Sequence, residues 1–191
     1  MERQEIEKLL KEKEKRNKLS SYAADFSLFA KEQVKIITKD ANQGFVPFNF
    51  NRCQEIITEK LSEQLRETGK VRAIILKARQ QGISTYCAGR VFWKSYNTPY
   101  ARSVVMAHDS ATSDALFAMS KNLIKNMQGE LSPEEIRSNA KEIIINSPAM
   151  PDRDATASYR LYTAGSPIFW RDIPREEYRE VLVIPCNCSL P

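Results

Sequence analysis

The chain has 191 residues, 42% of them hydrophobic, and a formal net charge of +5. That length supports one domain with its own core, the composition is that of a globular protein, and no apolar run approaches the ~20 residues that cross a bilayer. Four scattered cysteines (Cys53, Cys87, Cys186, Cys188) lack the paired spacing of a zinc site, and a single histidine, His108, leaves little material for Ser-His or Cys-His catalysis.

The first eighteen residues, MERQEIEKLLKEKEKRNK, carry both signs of charge and no apolar signal core, which places the chain in a cytoplasm. Residues 2–18 read as a helix with Glu7–Lys11 and Glu14–Lys18 at i,i+4 and a short stripe of Ile6, Leu9 and Leu10. It is either an appended docking element or a solvated helix. A second helical pattern covers about 22–34, followed by a short strand at 35–39 and a turn at 40–44. Asn51 is placed to cap a helix over 52–66 that Gly69 ends. VRAIILK (71–77) has the β-branched apolar character of a buried strand.

From Ser84 a helix runs to about Tyr96, stopped before Pro99. RSVVMAH (102–108) is another buried strand, and Asp109 or Ser110 caps a helix over 111–127. Gly129 and Pro133 mark a loop, and KEIIIN (141–146) and SYRLYTA (158–164) are further strands. This order predicts an α/β domain with a mainly parallel sheet. Phe92, Trp93 and Tyr96 at helical spacing read as core, and Arg72, Arg90 and Arg102 as surface cations that could face DNA. His108 reads as a structural or exposed side chain at the end of its strand.

The stretch LKARQQGIST (76–85) comes close to a phosphate-binding loop. Such a loop leaves a strand tightly and aims backbone N–H groups and the next helix's N-terminus at phosphate oxygens, with the spacing G-x4-G-K-[ST]. Here Ala78 takes the first glycine, Gly82 the second, Ile83 the lysine and Ser84 the hydroxyl that would reach Mg²⁺. The missing charge has two replacements, Lys77 at the strand end and Arg79 inside the loop, the latter able to grip phosphate bidentately. On spacing alone, an ordinary strand–turn–helix connection fits as well.

Taken with its flanks, LKARQQGIST resembles the deviant phosphate loop of the large terminase subunits of tailed bacteriophages. FVPFNFNRCQEII is similar to that family's upstream adenine-contacting segment, with Gln54 in the place of its glutamine; from spacing alone Gln54 is an exposed helix residue. RSVVMAHDSATSDALF, RSNAKEIII and YRLYTAGS resemble the family's next elements, so the likeness covers about residues 22–171. It implies a three-layer P-loop NTPase domain, partial over 21–171 and incomplete at its C-terminal end, with 1–20 as a charged N-terminal helix and 172–191 as an atypical tail. It implies ATP hydrolysis that drives double-stranded DNA into a procapsid in the bacterial host's cytoplasm. Mg²⁺ is the metal, with Ser84 its ligand. Lys77 and Arg79 would act on the phosphates. Ala78, Gln80, Gln81, Gly82, Ile83, Ser84 and Thr85 would line the nucleotide site. The portal protein, the small terminase subunit and a homo-oligomeric ring would be its partners, with no membrane involved.

After TAGSP the family continues with an arginine–glycine turn and a strand ending in Asp-Glu. Here Arg171 is followed by Asp172, and the apolar VLVI (181–184) by Pro185-Cys186. The tail is either a degenerate second motif or an unrelated replacement after a truncation or frameshift, and PIFW and PCNCSLP, which do not resemble the family, favour the second. Without the water-activating carboxylate, turnover falls by ~10² to 10⁴. Glu176 and Glu177 read as a solvated turn. The alternative function is a non-catalytic prophage remnant or a protein-interaction domain.

Overall fold

The computed structural model describes residues 2–37, 44–76, 80–107, 109–127, 129–150, 152, 154–163 and 180–183. Lys77, Ala78, Arg79, His108, Arg171, Asp172, Glu176, Glu177, Cys186 and Cys188 lie outside them, as does most of the turn at 40–44. The described residues form a mixed α/β arrangement.

Helix α1 (Glu2–Ala24) is exposed through its first turns, Ile6, Leu9 and Leu10 included, and becomes buried only at Tyr22. Glu7 and Lys11 stand 3.6 Å apart, both in solvent, where such a pair contributes little. The break to α2 (Phe26–Gln33) falls at Asp25 rather than near residue 20. The Asp25 carboxylate accepts the N–H groups of Ser27 (2.7 Å) and Leu28 (3.1 Å), capping the new helix. Ser21 leaves α1 unbroken because its hydroxyl folds back onto the Asn17 carbonyl.

A two-stranded antiparallel ribbon follows, β1 (Lys35–Ile37) with β2 (Phe45–Pro47). The chain then enters α3 (Arg52–Thr68), which ends at Gly69 in the left-handed conformation, φ +69°. Strand β3 (Val71–Ile74) leads to α4 (Ile83–Asn97). Aromatic side chains from α2, α4 and the segment after β2 form one core. Phe26 packs on Phe50, Tyr86 and Trp93, and Phe29 on Tyr22, Phe92 and Tyr96. Trp93 Nε1 donates to the Tyr22 carbonyl at 2.6 Å. Gly89 leaves a notch in α4 for Phe48, since a Cβ there would sit 3.0 Å from the Phe48 ring. Phe92, Trp93 and Tyr96 are therefore core, as the spacing predicts. Arg90 is not a surface cation: it is 2% exposed, its guanidinium 5.7 Å from the Trp93 ring centre. Arg72 and Arg102 are exposed.

The larger sheet has the order β4-β7-β6-β5. Strand β4 (Arg102–Ala107) runs parallel to β7 (Ala157–Thr163). Strand β6 (Glu142–Asn146) is antiparallel to β7 and to β5 (Glu134–Ser138). The sheet is mixed rather than mainly parallel. Three residues between β5 and β6 permit only a hairpin, and the described residues between β6 and β7 carry no crossover helix. Sequence reading misses β5 because all its residues are exposed, so no apolar alternation announces it. It is an edge strand, bulged between Glu135 and Arg137 and lined with charge. Ile143, Ile145, Ala157 and Tyr159 are its neighbours' buried residues. Helix α5 (Ser110–Asn126) packs on β4 and β7; Asp109 caps it, accepting the Thr112 N–H at 2.8 Å and hydroxyl at 2.7 Å.

Strand β3 pairs in parallel with β8 (Glu180–Val183), in register Ile74↔Val183, as a separate two-stranded sheet. It is buried on one face only. Val71 is enclosed, while Ile74 and Leu76 on the other face are 84% and 93% exposed. Strand β4 is likewise half-buried over Ser103–Val105 rather than enclosed. In β3 one face is packed and the other open among the described residues, which is why an apolar run does not become a fully buried strand. Among those residues, no helix is long and apolar enough to cross a membrane.

Candidate functional site

The segment from β3 to α4 carries most of the expected site residues, and α3 holds it at both ends. At the strand end, the Gln64 side-chain amide pairs with the Arg72 backbone: Oε1 accepts its N–H at 2.8 Å and Nε2 donates to its carbonyl at 3.1 Å. At the helix end, Asn51 Nδ2 donates to the Gln81 carbonyl (3.2 Å) and Gln54 Nε2 to the Gly82 carbonyl (2.9 Å). The Cys53 thiol lies 3.5 Å from Gln81 Oε1. Further along, the Thr58 and Tyr86 hydroxyls meet at 2.9 Å, joining α3 to α4. Burial pushes the Tyr86 phenol above its ordinary pKa, against the opposing effects of the Thr58 hydrogen bond and the Arg90 charge. Tyr86 is therefore a neutral partner at physiological pH.

Why α3 starts where it does explains this arrangement. Asn51 and Gln54 form a reciprocal capping box: Asn51 Oδ1 accepts the Gln54 N–H (3.0 Å) and Gln54 Oε1 accepts the Asn51 N–H (2.9 Å). Sequence reading finds Asn51 as the cap, but as nothing more, and takes Gln54 from spacing alone as exposed. The side chain is 3% exposed, turned inward by the box and the turn.

The turn itself alternates hand. Gln80 has φ +65°, uncommon for a residue with a Cβ, and Gly82 has φ +68°. Glycine is favoured at 82 by its φ, and a Cβ there would approach Gln54 Nε2 to 2.9 Å, so that amide would have to shift. Gly82 stands at the N-cap of α4, and no side chain caps that helix. Its carbonyl accepts both Gln54 Nε2 and the Tyr86 N–H (3.0 Å). A trans peptide sets C=O and N–H in opposite directions. With the Gln81 and Gly82 carbonyls turned to α3, the N–H groups of Gly82 and Ile83 face away from it.

Ile83 is buried, which accounts for an apolar residue where a phosphate loop usually places lysine. Ser84 and Thr85 are half-buried in the first turn of α4, and Gln80 is exposed. The described residues thus bring Gln54 onto the Gly82 carbonyl and Asn51 onto that of Gln81, with Gln80, Ile83, Ser84 and Thr85 adjoining; Lys77, Ala78 and Arg79 fall between described residues 76 and 80. Among the described residues no cluster of three or more His, Cys, Asp or Glu could hold a metal ion. Ser84 offers one neutral oxygen, a donor set that fits Mg²⁺ only when phosphate oxygens and waters complete the shell. No family model matches the chain, and no curated protein matches it.

Proposed function

We propose that the chain is the nucleotide-binding part of a DNA-packaging ATPase of the large terminase type, holding the phosphates of ATP and Mg²⁺ between β3 and α4. The observation that carries this reading is the turn at residues 80–83: left-handed at Gln80 and Gly82, opening an uncapped helix, with the N–H groups of Gly82 and Ile83 turned away from α3. Helix N-termini with converging amides favour phosphate. Lys77 and Arg79 supply cations from the leading side of the turn. Ser84 joins the Mg²⁺ shell.

The parallel pairing of β3 with β8 also supports it, because Val183 ends its strand beside Ile74, at the same sheet edge. In sequence, Pro185-Cys186 take the place of Asp-Glu, so the chain binds nucleotide with little turnover. Double-stranded DNA, a portal protein and a small terminase subunit are the partners this reading implies. Titration with a fluorescent ATP analogue tests it. Saturable, Mg²⁺-dependent binding that Gly82→Val abolishes is the expected result, with phosphate release no faster than in the Lys77→Ala, Arg79→Ala double variant. A flat titration overturns the reading and leaves a non-catalytic remnant or a protein-interaction domain.

A further inference from the structure

We propose that Gln54 is a positioning residue for the turn and does not read a base, so that the site grips any nucleoside triphosphate by its phosphates. This rests on the nucleotide reading above. Recognition of adenine needs an amide that accepts from N6–H and donates to N7 together, with both atoms turned to the base edge. Both atoms of the Gln54 amide are engaged within the protein. Oε1 takes the Asn51 N–H at 2.9 Å and Nε2 gives to the Gly82 carbonyl at 2.9 Å. The side chain is 3% exposed, so its remaining hydrogen-bonding capacity faces protein.

The same two bonds give the residue a different task. Gln54 holds the Gly82 carbonyl and Asn51 the Gln81 carbonyl, so one capping box orients two consecutive peptide planes. The planes carry the Gly82 and Ile83 N–H groups, whose direction follows from where the carbonyls are fixed. Turning Gln54 out to reach a base would release the Gly82 carbonyl and the α3 cap at once. Base recognition and turn geometry therefore compete for one amide, and the observed arrangement spends it on geometry.

Two measurements on the full chain test this separately. The first needs no nucleotide: amide hydrogen exchange at Tyr86, whose N–H reports on the turn because it donates to the Gly82 carbonyl at 3.0 Å. Gln54→Ala is expected to accelerate it about fivefold or more, the factor for one lost hydrogen bond. Gln54→Glu preserves the helix cap, since glutamate also serves at that position, but removes the donor to Gly82. It is expected to accelerate exchange at the turn while leaving the first turn of α3 protected. Unchanged exchange at the turn in both variants overturns the positioning role.

The second is competition among ATP, GTP, CTP, UTP and inorganic tripolyphosphate. Expected are nucleotide affinities within about threefold of one another, all weakened by the same factor in Gln54→Glu. A preference for ATP above about tenfold that Gln54→Ala erases overturns base indifference while keeping the nucleotide site. Absence of binding by every nucleotide and by tripolyphosphate sinks the nucleotide reading and base indifference with it, and the exchange data alone then decide the positioning role.

Discussion

Two tyrosines in the core make the stability of this protein fall at alkaline pH. Tyr96 and Tyr159 are both 0% exposed. Their hydroxyls donate to the carbonyls of Leu131 (2.7 Å) and Phe92 (3.2 Å). Burial raises both phenols far above their ordinary value, against a smaller opposing effect of Ser147 on Tyr96 and of Ser95 on Tyr159. In the unfolded chain each ionises near pH 10, roughly the free phenol value. Above that pH the unfolded state sheds protons that the folded state retains, so stability is complete below it and declines as pH climbs toward the folded value. The loss is about 1.4 kcal/mol per tyrosine at pH 11, and both together cost about 2.8.

Tyr159→Phe isolates one of them. At pH 8 the variant is weaker by about 1 kcal/mol, the worth of its hydrogen bond. By pH 11 the native protein has lost more than that through the same hydroxyl, so the two curves cross near pH 10.6, roughly where the terms balance. Urea denaturation followed by tryptophan fluorescence at several pH values measures the difference, in which lysine titration common to both proteins cancels. A stability difference that stays constant from pH 8 to 11 refutes the reasoning, as does tyrosinate absorbance from all seven tyrosines of the chain rising before unfolding.

Phe29→Ala removes a fully buried ring that touches Tyr22, Phe92 and Tyr96, and is expected to cost about 3–5 kcal/mol, read as a fall in the urea midpoint with the slope unchanged. Asp25→Ala takes away the α2 cap; a loss of about 1 kcal/mol is expected, and Asp25→Asn, which retains the accepting oxygen, should recover most of it.

How much of this could be seen in the sequence depends on where each signal resides. Local signals transfer well: Asn51 and Asp109 cap the helices assigned to them, Gly69 ends α3, and the aromatic face of α4 is core. Asp25 escapes notice because the residues on both sides of it form helix well, and only its own carboxylate marks the interruption. The sheet is harder. Strand direction is set by connection length and pairing, so β5, with no apolar face, turns the local order antiparallel without warning. Arg90 is misread because charge alone predicts solvent, whereas the Trp93 ring beside it is visible only after folding. For the candidate site, Gly82 is evident from its place after a strand and before a helix. The partner of Gly82 is not, because Gln54 lies 28 residues away and its amide direction depends on a cap and a turn closing together.

The notch at Gly89 reaches further than local packing. A helix can slide or rotate along an aromatic layer only if its passing side chains find room, and here the one bare position of α4 faces the Phe48 ring, which a Cβ would approach to 3.0 Å. The six steps from Ile83 to Gly89 span about 9 Å of helix. The notch thus acts as a detent, fixing how far α4 projects beyond the aromatic layer and keeping its leading end at a constant height against α3.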